Sequence, residues 1–292
     1  MDVVIQTQGP AINRRKVGDL IVTMLSDGFL DVSFDLLDGI SSKDAASLLS
    51  QHRVSTLPRM NVNVFVIQNG EQMILIDGGA GGIHGWGGRL PVALSAAGID
   101  PLYIDIILLT HAHPDHVGGL AGPLATPHFR NVKQVYVHKA EYDFWRNDMI
   151  RAAAPDGFRP FFDVAQNVFD AYKEQIIVFT GEDVIPKIQA VPLPGHTPGH
   201  TGYLISDKGE SLLIWGDIVH FPYVQIARPE VTIAFDNEPA EAAAIRRHIL
   251  DRASSEGLLV SGMHFNMPTC GRIERASGGY ELIYEAWSPA LI

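Results

Sequence analysis

The chain has one cysteine in 292 residues, Cys270. A single thiol closes no internal disulfide and leaves a thiolate metal site short of sulfur, so any metal must be held by His and carboxylate side chains, and a reducing compartment is favoured. Basic residues are scarce as well: 22 Lys and Arg stand against 33 Asp and Glu, a formal net charge of -11. They are scattered rather than clustered, which removes the cationic surface that phosphate backbones require, and no nucleic-acid partner is expected. Long apolar runs are missing too. No stretch approaches the about 20 apolar residues of a membrane span, and Met1 to Lys16 lacks an apolar core of signal-peptide length, so no membrane association and a cytoplasmic location are expected. Repeats, charge tracts and low-complexity linkers are also absent, which favours one domain over residues 1–292, with residues 1–40 as an N-terminal extension.

What is present is ample apolar content, 46%, arranged in alternating strand and helix signals. Leu20 to Leu25 reads as a strand ending in the turn-like Ser26, Asp27 and Gly28. Ser41 to Gln51 reads as a helix opened by a serine cap. Asn61 to Ile67 and Gln72 to Ile76 read as a hairpin around Asn69-Gly70, followed by a glycine-rich turn from Asp77 to Gly82. Helices are expected at Arg89 to Ala97, Lys139 to Asn147, Phe161 to Glu174 and from Pro239 through Ala253. Strands are expected at Val135 to Val137, Ile176 to Phe179, Ile188 to Val191, Tyr203 to Ile205, Leu212 to Trp215 and Leu258 to Val260. The pattern is mixed α/β.

One stretch dominates the chemistry. Thr110 to Gly119 reads T-H-A-H-P-D-H-V-G-G and puts His111, His113, Asp115 and His116 within six residues, directly after an apolar run. Further His and Asp residues stand where other strand signals give out: Asp77, His196, Asp217 and His264. Strand ends far apart in sequence can converge at one sheet edge, and rigid strands hold ligands in place. Imidazole and carboxylate suit zinc and similar metals, and the set exceeds what one tetrahedral ion takes, so two ions are expected. His111, His113 and His196 are assigned to the first and Asp115, His116 and His264 to the second, with Asp217 bridging. The ions are expected to be zinc, with manganese, iron or cobalt as alternatives.

Together with P-L-P-G-H-T-P-G-H-T at 192–201, W-G-D at 215–217 and G-M-H at 262–264, the opening motif resembles the ordered motifs of the metallo-β-lactamase superfamily. The resemblance covers roughly Leu20 to the C-terminus. It implies a four-layer αββα sandwich with a dinuclear site at one edge of two sheets, and it places Asp77 as a support of the metal loop rather than a ligand. Within the superfamily the chain is most similar to the methyl parathion hydrolase branch and the N-acyl homoserine lactonases, through L-S-D-G-F at 25–29, G-D-I-V-H-F at 216–221 and R-P-E-V-T-I-A-F-D at 228–236. Such lactonases commonly carry Tyr three residues after the bridging Asp, where this chain has His220, which tilts the reading toward phosphotriesters. The resemblance also suggests a homodimer, with residues 1–40 as a place for the contact.

The expected activity is therefore hydrolysis of small esters, methyl parathion hydrolase-like, by attack of a metal-bridging hydroxide. Ions about 3.5–4 Å apart supply such a nucleophile near neutral pH because coordination lowers the pKa of water from about 15.7 to about 7. Asp115 and His220 are the candidate catalytic residues, Asp115 as a proton shuttle to the leaving group and His220 as a wall of the pocket or a support of Asp217. Lactone hydrolysis and metal binding without turnover are the alternatives. Thioester hydrolysis on anionic conjugates would need basic residues near the motifs, and few are there. His200 is expected to hydrogen-bond and fix its loop rather than bind metal. Trp86, Phe221, Tyr223, Phe265 and Met267 are candidates for an apolar pocket wall, although aromatics more often serve the core. Small neutral esters, lactones and phosphotriesters are the expected partners.

Overall fold

The computed structural model describes residues 8–276 and 278–291; the part of the expected N-terminal extension at residues 1–7 lies outside the described residues. Fourteen longer strands form two seven-stranded sheets in which spatial order follows sequence order. The first sheet runs β1 (Ile12–Val17), β2 (Leu20–Asp31), β3 (Arg59–Asn69), β4 (Gln72–Ile76), β5 (Ile106–Leu108), β6 (Gln134–His138) and β7 (Ile176–Phe179). It is antiparallel as far as β4 and parallel from β4 to β7. The second runs β8 (Asp183–Ile185), β9 (Ile188–Pro192), β10 (Thr201–Asp207), β11 (Glu210–Ile214), β12 (Leu259–Ser261), β13 (Cys270–Ala276) and β14 (Gly279–Tyr284). Only β11 and β12 are parallel there.

Residue alternation within the strands builds four layers. Ile74, Ile76, Ile106 and Leu108 point between the sheets and meet Ile188, Tyr203, Leu212 and Ile214. Their neighbours Leu75, Ile107 and Val135 point outward and pack with residues of α2 (Leu90–Ala96) and α6 (Arg159–Ala171), among them Leu94, Phe162 and Phe169. On the far side Leu213 and Val260 face Ile249, Leu250 and Ala253 of α8 (Pro239–Glu256). Strands covered on both faces read as continuous apolar runs, which is why I-I-L and L-L-I carry no polar alternation. This is the expected αββα sandwich. A fourth apolar cluster, including Leu30, Leu49, Met60, Phe221 and Val224, joins α1 (Ser42–Gln51) to the sheet ends beside the site.

Three departures from the sequence reading have physical causes. The triplet Ser26, Asp27 and Gly28 is a register shift inside the twelve-residue strand β2, not a turn. The bulge aims the fully buried Asp27 carboxylate at the glycine-rich loop, where it accepts hydrogen bonds from the Ala80, Gly88 and Leu90 amides at 2.9, 3.0 and 2.7 Å. The helix expected over 139–147 stops at Trp145 (α4, Lys139–Trp145), because Asn147 turns its side chain to cap the Met149 and Ile150 amides of α5 (Asp148–Ala153). Strands β1, β13 and β14 carry no clear apolar signal: they lie toward the sheet edges, where Arg14, Lys16, Arg272 and Glu274 are exposed and apolar periodicity fades.

The glycine pairs are explained by one close approach. A Cβ on Gly118 or Gly119 would overlap the Ala80 or Gly78 carbonyl, so the loop after β4 and the His-rich loop pack backbone against backbone. Asp27 holds one side of that contact. Replacing it, Asp27→Ala, leaves three amides without their acceptor at about 1–3 kcal/mol each, and the expected loss is about 3 kcal/mol or more, read as a lower urea midpoint with an unchanged slope.

Candidate metal centre

Each chemically active side chain leaves the end of a strand at the same edge of the sandwich. β4 delivers Asp77, β5 delivers His111 and His113, and the short α3 (Pro114–Val117) carries Asp115 and His116. The turn between β9 and β10 carries His196 and His200, β11 leads to Asp217 and His220, and β12 leads to His264. Because β4 and β5 are parallel, as are β11 and β12, their carboxyl ends open on one side. Bonds between the sheets fix the gap: the Thr201 amide donates to Thr110 O (2.9 Å), the Tyr203 hydroxyl to Leu109 O (2.7 Å) and the Asn63 amide to Met263 O (2.8 Å).

All seven residues expected to hold metal come together, in two adjoining groups. His111 Nε2 and His196 Nε2 each lie 3.0 Å from His113 Nδ1. Asp115, His116, Asp217 and His264 form the second group, with His116 Nε2 3.5 Å and His264 Nε2 3.7 Å from Asp115 Oδ2. Asp217 Oδ2 stands between the two: it is 3.0 Å from His264 Nε2, 3.2 Å from His116 Nε2, 3.5 Å from His196 Nε2 and 3.8 Å from His111 Nε2. His220, with His196 and Asp217, completes a third grouping that could hold a metal ion.

The outer nitrogen of each ring decides what the inner one offers. His264 Nδ1 donates to Asn61 O (2.6 Å), His196 Nδ1 to Asp236 Oδ1 (2.9 Å) and His116 Nδ1 to Asp77 Oδ2 (2.8 Å). The Thr110 hydroxyl donates to Asp77 Oδ2 (2.7 Å), so it accepts from His111 Nδ1 at 3.1 Å. In the neutral imidazoles the four Nε2 atoms therefore carry lone pairs, and all four are aimed at one carboxylate oxygen. Lone pairs facing an anion repel, and a divalent cation between them reverses the sign of every contact. Asp217 Oδ1 is buried with no hydrogen-bond partner, a further free acceptor at the same place. The donor set fits divalent metal.

Burial, and next the neighbouring imidazoles, hold His111 and His113 well below the ordinary range. Burial also opposes charge on His116 and His264, but Asp217 outweighs it and holds both raised, which places the proton-binding demand on the second group. His200 accepts from the Asp217 amide (2.9 Å) and donates to Leu193 O (2.9 Å), so it ties two loops as a neutral ring; burial pushes it down to about 3. Burial lowers His220 to about 4, and neither of its buried ring nitrogens has a hydrogen-bond partner, although Nε2 lies 3.3 Å from Asp217 Oδ2.

Several contributors lay outside the sequence reading. Asp236 orients His196 and sits 3.6 Å from the buried Arg246, whose other donors reach the Ile218, Pro229 and Val231 carbonyls. Glu141, on α4, is 1% exposed and bonds both the His111–His113 loop and the His196 loop. Of the expected wall residues, Trp86 lines a cavity of about 20 Å³ directly over the two groups, with Leu30, Met60, Phe161 and Phe235. Phe221 and Tyr223 line a cavity of about 190 Å³ beside His220 and His264. Phe265 instead packs against Trp215 in the core. A third cavity, about 400 Å³ and mostly apolar, is lined by Phe144, Ile150, Ala154, Phe158 and Phe162 and shares His113, His196 and Phe235 with the first.

Comparison with known proteins accords with this geometry. The family described as the metallo-beta-lactamase superfamily matches residues 57–253. An N-acyl homoserine lactonase from a Bacillus species is 28% identical over 127 residues, 41% of this chain and 40% of that protein. The chain spans between 34% and 61% of the length of the curated relatives it matches. Among solved structures, the hydrolase AbOPH superposes with a TM-score of 0.88 at 29% identity, covering 97% of this chain and 100% of that one. AidC, described as a dizinc quorum-quenching lactonase in complex with a product, superposes with a TM-score of 0.88 at 24% identity, covering 96% and 99%, a likeness of fold. With the family match spanning most of the chain and the His and Asp motifs brought to one sheet edge, this protein belongs to the metallo-β-lactamase superfamily.

Proposed function

We propose that the chain is a dinuclear metal-dependent hydrolase of small neutral esters. The observation that carries this reading is the convergence of four imidazole Nε2 atoms on Asp217 Oδ2. His111, His113 and His196 would hold one divalent ion, Asp115, His116 and His264 the other, and Asp217 both, with zinc as the first candidate and manganese, iron or cobalt as alternatives. When bound, such a pair polarises an ester oxygen and makes water a nucleophile near neutral pH.

The chain's own residues do the rest. The about 20 Å³ over the ligands has room for about one water molecule, roofed by Trp86, Phe161 and Phe235, so bulk water is kept out. Asp115 borders that space with its side chain 13% exposed, placed to pass a proton to a departing oxygen. His220 lines the same space and offers an N–H to substrate or to Asp217. On the far side, Arg59 is already paired with Asp31 at 2.6 and 2.9 Å, so among the described residues that line the about 190 Å³ cavity there is no unpaired Arg or Lys to grip an anion, which favours neutral heads. The about 400 Å³ apolar cavity suits an alkyl or aryl arm.

Two substrate classes follow. His220 in place of a Tyr favours phosphotriesters and open esters, as in methyl parathion hydrolase. The whole-length likeness to AidC and the match to an N-acyl homoserine lactonase favour lactones. A homodimer in the cytoplasm remains part of the reading; no helix among the described residues is long and apolar enough to cross a membrane.

The deciding measurement is a panel of ester, lactone and phosphotriester substrates on protein of known metal content. Hydrolysis of at least one class, lost on chelation and restored by zinc or manganese, is expected; a fully loaded protein inert to all three would sink the proposal. His113→Ala should lose metal and lower kcat/KM by about 10²-fold or more; loss of metal with activity intact would instead mark the metal as a passenger. For the arm, each buried methylene adds about 0.8 kcal/mol, roughly fourfold in kcat/KM. Ala154→Trp, which fills the cavity, should remove that chain-length dependence while sparing short substrates.

A further inference from the structure

Glu141 is the buried carboxylate that the chemistry above leaves without a task. It lies on α4, outside the motifs that carry the proposed ligands, and is 1% exposed. Its Oε1 accepts from the Ala112 amide (2.9 Å) and the Trp145 indole (2.6 Å), and its Oε2 from the Thr197 hydroxyl (2.6 Å) and the Gly199 amide (3.0 Å). Ala112 sits between His111 and His113; Thr197 follows His196 and Gly199 precedes His200. One carboxylate thus bonds both loops that carry the His111, His113 and His196 group. The fit is close on each side: a Cβ on Gly199 would run into the backbone of Glu141, and the Trp145 ring stands edge-on to His113 with centroids 5.5 Å apart.

We infer that Glu141 is the positioning residue of the first metal position, the group that sets the distance between the His111–His113 loop and the His196 loop. Burial raises the Glu141 carboxyl from its ordinary range, and the four hydrogen bonds from Thr197, Ala112, Trp145 and Gly199 oppose that rise by favouring the ionised form. The second group hangs on different tethers, Asp77 for His116 and the Asn61 carbonyl for His264, so the effect should be selective. This inference rests on the two-metal reading above.

The test is chelator competition on apo protein titrated with zinc, which reads each equivalent without any turnover. Wild-type protein should bind two. Glu141→Gln turns an amide N–H₂ toward two donors and should weaken one equivalent by about 10–100-fold while leaving the other unchanged. His113→Ala should remove that same equivalent, and adding Glu141→Gln to it should cost nothing further at the one that remains. Thr197→Val, which removes one of the four bonds and keeps the charge, should weaken the same equivalent by less; it decides the matter if Glu141→Gln does not fold. Equal weakening of both equivalents, or two unchanged affinities, overturns the inference and leaves the hydrolase reading standing. Wild-type protein that binds no metal overturns both.

Discussion

Five imidazole nitrogens lie within 3.8 Å of a single carboxylate oxygen, Oδ2 of Asp217. Such crowding is unfavourable in an unorganised chain, because like dipoles and lone pairs meet in a site from which water is excluded. Much of the surrounding architecture serves to hold it. Strand ends from two sheets set the distances, backbone and carboxylate acceptors orient three of the rings and the Thr110 hydroxyl a fourth, and His200 fixes the Asp217 amide. The buried anions Asp27, Asp77, Glu141 and Asp236 each accept bonds from a loop that borders the site. The four-layer core supplies the rigidity that makes these constraints additive rather than floppy.

The converging His and Asp residues were legible in the sequence because their spacing suits coordination: a turn after a buried strand presents imidazoles two residues apart, and no surface requirement produces the same pattern. The central strands were legible for a related reason, since a strand covered on both faces is uniformly apolar. Glu141 was not, because an acid on a helix reads as a solvated face until the fold shows two loops folded over it. Asp236 stands just ahead of the helix signal that opens at Pro239, and only the tertiary structure brings His196 and Arg246 to it. Asp27 had the composition of a turn and the place of a bulge.

The pocket walls show the same divide. Trp86 and Tyr223 line space beside the ligands as anticipated, whereas Phe265 fills the core, and Phe158, Phe161 and Phe235 do the work at the site. Aromatic side chains satisfy core and pocket alike, so identity alone does not sort them. What sorts them is whether the neighbouring element leaves a gap, and the break between α4 and α5 at Asn147, invisible to periodicity, lies where the largest apolar gap at the site opens.

The proposed ligands come from both layers: His111, His113, Asp115 and His116 from the end of the first sheet, and His196, Asp217 and His264 from loops of the second. On the proposed reading, each ion is a cross-link between two halves of the molecule. Binding free energy then enters folding free energy, adding about 4 kcal/mol at a thousandfold excess of free ion over its dissociation constant. The chain's resistance to unfolding would thereby track the supply of metal around it, so that a starved protein loses its hold between the sheets along with its chemistry.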